Sequence, residues 1–188
     1  MNRLPTNRLN QANGRAAARS GARFEDMIER ANTYYSRRAI AQVLKVPTGT
    51  RPIGKRGGQT MWAPAEKTGC DYVGVVNGQG VAFEAKSTRN KTSFPLTVHQ
   101  KDMVKPHQLQ FLREYQAAGG AAFILIHFSE TGRTFRTSVD AYDELTERAR
   151  KEDKKSLPIG WIEEASLEVY QRAYFIDYLP KEERENHE

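Results

Sequence analysis

Nothing in this chain constrains its fold more than the dipeptide Asn77-Gly78 and the short apolar runs on either side of it. Asp71 to Val76 and Val81 to Ser87 are rich in Val, Ala and Phe, and Asn-Gly favours a two-residue hairpin turn because both central residues must take positive φ. With that turn, Val76 faces Gln79 and every cross-strand pair has residue numbers that add to 155. Asp71 and Glu84 are such a pair. They are therefore expected opposite each other on one face, with Cβ atoms roughly 5 Å apart, and Lys86 shares that face two residues on. A four-residue loop shifts the pairing but keeps this parity, whereas a three-residue loop breaks it.

Two carboxylates held opposite each other repel, and a stable fold tolerates them best with positive charge between them. A divalent cation meets that need. Magnesium takes one or two protein carboxylates and accepts phosphate oxygens, so the pair suits phosphodiester hydrolysis, with Lys86 orienting the attacking water or stabilising charge on the phosphorane. The plainer alternative is that Lys86 forms a surface ion pair with one of the acids, since short motifs of this kind match often.

Around this hairpin the periodicities describe one domain. The apolar residues between about Ala22 and Lys45 recur mostly three or four apart and predict an amphipathic helix with Ser20 as N-cap, ended by Pro47. Met1 to Ser20 offers little to bury and reads as a mobile basic arm. Val46 to Lys67, punctuated by Pro and Gly and carrying basic residues, reads as a long loop or protrusion. A second helix is expected from Pro106 to a stop at Gly119-Gly120, followed by a buried strand from Ala121 to Phe128. A helix leading into a continuous apolar strand implies a crossover, hence an α/β fold with a mixed central sheet flanked by helices. A strand over Thr134 to Thr137, a helix over Asp140 to Lys151, a last strand over Ala173 to Leu179 and a charged tail from Lys181 to Glu188 complete the expectation.

Charge is divided unevenly. Of the net +6, residues 1–60 hold twelve Lys or Arg against three acids, a net of +9, which leaves −3 for the remainder. Such a basic region attracts phosphates through counterion release, although a merely solvated basic face gives the same count. No apolar run is long enough to span a membrane, no secretory signal is visible, and the single cysteine, Cys70, cannot form an internal disulfide. These features favour the reducing cytoplasm, with a DNA partner placing the protein at the nucleoid.

Asp71 followed by Glu84-Ala85-Lys86 resembles the PD-(D/E)xK nuclease signature, and the surrounding segments resemble the RecU-type Holliday junction resolvases. The matching pieces run in order: Gly21-Ala22-Arg23-Phe24-Glu25, Lys45-Val46-Pro47-Thr48, Asp71-Tyr72-Val73-Gly74, Phe83-Glu84-Ala85-Lys86, Phe94-Pro95-Leu96, His107-Gln108, Gly119-Gly120, Lys155-Ser156-Leu157-Pro158 and Ile176-Asp177-Tyr178. The resemblance implies a restriction-endonuclease-like core over residues 21–180, acting as a homodimer that nicks two opposing strands of a four-way junction with magnesium or manganese. By position, Asp71, Glu84 and Gln108 would hold the metal, Lys86 would assist at the transition state, and Glu25 would complete the acidic cluster. Residues 46–67 would form a stalk entering the junction, with Lys45, Arg51, Lys55 and Arg56 as phosphate contacts, and a recombinase is a conceivable partner.

This chain departs from the family pattern twice. Gly69 stands where the family usually has Thr, with Thr68 one step earlier, and the spacing from Glu84 to the His-Gln pair is about five residues longer than expected. His99-Gln100 competes with His107-Gln108 for that match, but Gln108 falls in the first turn of the helix ending at Gly119-Gly120, which puts the extra length in the preceding loop. Simpler roles stand beside the catalytic ones. Glu25 can serve as a helix N-terminal acid, Gln108 as a cap, Cys70 as a buried inert thiol, and Phe24, Tyr34 and Tyr35 as core rather than a base-stacking set. The four histidines lack zinc-type spacing. Against a junction nuclease stand a nuclease of another DNA substrate and a non-catalytic DNA-binding modulator of recombinase.

Overall fold

The computed structural model describes residues 6–47, 49–64 and 69–179; the expected charged tail, Thr48 and Thr68 lie outside them. In chain order the elements are α1 (Thr6–Arg37), β1 (Ala41–Lys45), β2 (Thr50–Arg56), β3 (Gln59–Pro64), β4 (Tyr72–Val76), β5 (Gln79–Thr88), β6 (Ser93–Pro95), β7 (Thr97–Val98), β8 (Lys101–Asp102), α2 (Pro106–Ala117), β9 (Ala121–Phe128), β10 (Arg133–Ser138), α3 (Val139–Lys151), β11 (Ser156–Pro158), α4 (Ile159–Ala165), β12 (Leu167–Gln171) and β13 (Ile176–Asp177). Seven strands make one sheet in the order β1-β4-β5-β9-β10-β12-β13. Within it β5 and β9 run parallel and the other pairs are antiparallel, so the sheet is mixed.

The β4–β5 hairpin has the register that a two-residue turn dictates, from Val76 opposite Gln79 to Tyr72 opposite Phe83. Asn77 and Gly78 take φ of 48° and 80°, as such a turn requires. The hairpin is locked from both sides, by β1 against β4 and by β9 against β5. On the face covered by α1, rings stack across three strands: Tyr72 on Phe83 and Phe83 on Phe123, each pair with centroids 4.8 Å apart. The opposite face packs against α2, α3 and α4 through Ala82, Leu112, Ile124, Ile126 and Tyr142.

Two expectations at the N-terminal end are corrected. The helix runs from Thr6, not from about Ala22, so residues 6–20 are helical. The run Ala16-Ala17-Ala18 favours helix without needing apolar contacts. The same helix stops at Arg37 instead of reaching Lys45. Phe24, Ile28, Ala31 and Tyr35 keep helical spacing and are buried, but the chain then turns through Ala39, at φ 55°, and Ala41 to Lys45 becomes a strand. Val43 and Leu44 fit helical spacing by coincidence. Pairing with the open edge of β4, from Ala41 opposite Val76 to Lys45 opposite Tyr72, satisfies their backbone groups instead.

Residues 50–64 fold into a separate two-stranded hairpin, β2 with β3, whose described side chains are all exposed. At the C-terminal end, the strand expected over Ala173 to Leu179 is reduced to Ile176–Asp177, because residues 173–175 form the turn that joins β12 to β13.

Candidate active site

Alternation along β5 decides what can meet. Phe83 and Ala85 point toward α1, whereas Ala82, Glu84 and Lys86 share the face covered by α2. Glu84 is fully buried there. Its Oε1 accepts hydrogen bonds from Lys86 Nζ and from Gln108 Nε2, while its Oε2 has no partner among the described residues. Asp71, half-buried just before β4, is anchored by the Ala85 N–H, which donates to its Oδ2 at 3.0 Å. That bond ties the first acid to the strand carrying the second.

Burial, opposed by the Lys86 ammonium and assisted by the charge and hydrogen-bonding reach of the Asp71 carboxyl, pushes the Glu84 carboxyl up to about 8, so the oxygen without a donor stands against a second acid. A buried acid with one unpartnered oxygen beside another carboxylate is a poor arrangement for stability alone. It fits a cation well. The donors are carboxylate oxygens, which suit a hard divalent ion such as magnesium.

Gln108 is 5% exposed and sits in the first turn of α2, where its side-chain oxygen Oε1 accepts the Lys105 N–H at 3.0 Å. Its amide N–H₂ is thereby turned toward Glu84. In this arrangement its side-chain nitrogen faces Glu84 and its side-chain oxygen faces Lys105. Of the two His-Gln pairs, only His107-Gln108 has its glutamine bonded to Glu84, whereas His99 and Gln100 form the exposed tip of the small β7–β8 hairpin, with φ of 50° and 62°.

Glu25 is not brought to the pair. Its Oε2 receives Lys45 Nζ at 2.9 Å, with Glu29 3.5 Å from the same ammonium, and Lys45 lies on the sheet face that α1 covers, opposite to Glu84. Among the described residues no group of three or more His, Cys, Asp or Glu is placed to hold a metal. Lys45 is thus engaged with two acids, while Arg51, Lys55 and Arg56 stand exposed on β2. Cys70 is buried, its Sγ bonded to the Tyr72 carbonyl at 3.2 Å, and burial pushes its thiol up to about 12, far from a reactive thiolate.

The glycine that departs from the family pattern has a steric cause. A Cβ on Gly69 would collide with the ring of Phe111 on α2, so no threonine fits there while that ring is in place. Composition alone could not have singled out Phe111, because only the folded approach of α2 to β4 brings the two together.

A family model described as Recombination protein U matches residues 19–183. The chain belongs to the RecU family. Two curated relatives, each called Holliday junction resolvase RecU, from Streptococcus pneumoniae strains Taiwan19F-14 and CGSP14, are 31% identical over 163 residues, covering 84% of this chain and 79% of theirs. A solved structure of Hjc, a Holliday junction resolvase of Archaeoglobus fulgidus, is a distant likeness: 14% identical, TM-score 0.38, covering 64% of this chain and 78% of that one. The RecU match takes in Asp71, Glu84, Lys86 and Gln108, and leaves the first turns of α1 outside.

Proposed function

We propose that this RecU-family chain is a metal-dependent endodeoxyribonuclease that resolves Holliday junctions by symmetrical nicking during DNA recombination and repair. The observation that carries the reading is Glu84, a buried acid with a free oxygen, held beside Asp71 and in contact with Lys86 on one face of a locked hairpin. Asp71 and Glu84 would hold the cofactor, magnesium or manganese, which would supply Lewis acidity toward a phosphodiester oxygen. Lys86 places a positive charge where the phosphorane gathers negative charge, as water's oxygen bonds to phosphorus and the bond to the leaving oxygen breaks. Gln108 fixes the Glu84 carboxylate so that its free oxygen keeps one direction.

The exposed β2–β3 hairpin, with Arg51, Lys55 and Arg56, is the surface that enters the junction, where basic side chains meet phosphates. Two nicks at symmetry-related positions require two active sites, so the working form is a homodimer. The protein works on DNA at the nucleoid, in the cytoplasm, and no helix among the described residues is long and apolar enough to cross a membrane. A recombinase is a further candidate partner.

The reading is tested by incubating the purified protein with a synthetic four-way junction or a linear duplex of the same sequence, with and without magnesium. Paired nicks on the junction alone, and only with magnesium, are expected. Equal cutting of the linear duplex would point to a nuclease of this family with another DNA substrate.

A further inference from the structure

On the α1 side of the sheet, at the end of β5 beyond Lys86, lies a cleft of about 430 Å³ between α1 and the β9–β10 turn. Arg19 and Arg23 line it from α1, one helical turn apart, and Arg89 lines it from just past the end of β5. Arg89 is tied at the lip by Glu130, Nε to Oε1 at 3.0 Å. Arg19 and Arg23 make no ion pair or hydrogen bond among the described residues. Acids are not lacking on the helix, but they are committed elsewhere: Asp26 takes Arg30, and Glu25 and Glu29 take Lys45. Three guanidinium groups against one carboxylate leave the cleft strongly positive, with hydroxyls of Ser20 and Ser129 in its lining.

We infer that this cleft is a second DNA contact, binding the phosphodiester backbone beside the strand to be cut. The chemistry is that of Arg forks on phosphate, each planar guanidinium able to donate two hydrogen bonds to one phosphate. The spacing suits a strand, since residues four apart on a helix lie about 6 Å apart, close to the gap between successive phosphates on one strand. The placement suits the proposed reaction. Ser20 Oγ and Ser87 Oγ are 2.9 Å apart, so α1 is pinned to β5 one residue past Lys86. Arg89 lies about 10 Å along the strand from Lys86 at a strand's rise per residue. DNA passing the end of β5 can thus be gripped on the α1 side while its scissile phosphate reaches Glu84 and Lys86 on the other.

This inference rests on the nuclease reading for its choice of DNA, but its test does not need cleavage. Binding of a fluorescent four-way junction, and of a linear duplex, is followed in EDTA by anisotropy across a salt series. For Arg19→Gln/Arg23→Gln, the slope of log affinity against log salt should shrink by about 1.8 relative to wild type, and for Arg19→Gln alone by about 0.9. Arg150→Gln, at an exposed residue paired with Glu147 on α3, should leave the slope unchanged. An unchanged slope in the double variant, or an equal loss in Arg150→Gln, overturns the cleft as a phosphate site. If wild type nicks no DNA with magnesium yet the double variant loses slope, the nuclease reading fails and the cleft stands. If wild type nicks and the double variant keeps its slope, the cleft alone fails.

Discussion

Two hairpins of similar construction divide the work of this molecule. Both β2–β3 and β4–β5 are antiparallel pairs closed by two residues at positive φ, Gly57-Gly58 in the first and Asn77-Gly78 in the second. The second is wedged between β1 and β9 with its rings buried, whereas the first pairs with nothing else and exposes every described side chain, Ile53 and Trp62 among them. An isolated two-stranded hairpin is marginal in water on its own. The contrast teaches where each task can be placed. Holding two acids side by side needs a strand fixed on both edges, while gripping a flexible, highly charged partner needs only reach and charge.

Substitutions that exchange the two behaviours should break this contrast or sharpen it. Phe83→Ala, which removes the middle ring of the Tyr72–Phe83–Phe123 stack, should cost about 3–5 kcal/mol in chemical denaturation. A loss no greater than that of a surface substitution would mean that the hairpin is not held by its neighbours. The same locked sheet contains His127, opposite Ser87 in the β5–β9 pair, bonded through Nδ1 to Thr134 Oγ1 at 2.9 Å and stacked on Phe24. Burial lowers its imidazole from 6.5 to about 4, so the folded state binds fewer protons than the unfolded one between those values. Stability should therefore be intact above pH 6.5 and fall as the pH drops toward 4, by up to about 3 kcal/mol, and His127→Gln should flatten that limb of the profile.

A smaller effect is expected at the support of Glu84. Gln108→Ala should slow single-turnover nicking by about 10- to 100-fold and raise the magnesium concentration giving half the maximal rate, with little change in junction binding. A change in binding alone would place Gln108 outside the site. Smallest of all is the effect on stability at the free hairpin: Arg51→Ala and Arg56→Ala should each alter it by less than about 0.5 kcal/mol while weakening affinity for the four-way junction. Loss of stability there, with affinity unchanged, would reverse the assignment of the two hairpins.

The same contrast explains how much could be read from the chain. The β4–β5 register, the bounds of α2 and the buried strand β9 follow from local signals: a turn dipeptide, a Pro at a first helical position, a Gly pair and an unbroken apolar run. From them the meeting of Asp71, Glu84 and Lys86 could be deduced by counting. Local spacing was misleading where tertiary pairing took over. Val43 and Leu44 satisfied a helical pattern, yet the open edge of β4 made them strand. Glu25 looked like a third acid because it stands in a family-like segment, but strand alternation puts its partner Lys45 on the other side of the sheet. Gln108 offered only its place in the helix, and its two hydrogen bonds, to Lys105 and to Glu84, depend on how α2 docks. The short elements β6, β7, β8, β11 and α4 carry too few residues for any periodicity to register.

The central claim is that Asp71 and Glu84 form a metal-binding pair for phosphodiester hydrolysis. It is tested most directly by comparing wild type, Asp71→Asn and Glu84→Gln on a labelled four-way junction, with nicking measured in magnesium and binding in EDTA. Both variants should lose nicking by on the order of 10³-fold or more while binding the junction as wild type does. Nicking retained within a few-fold by either variant would contradict the account.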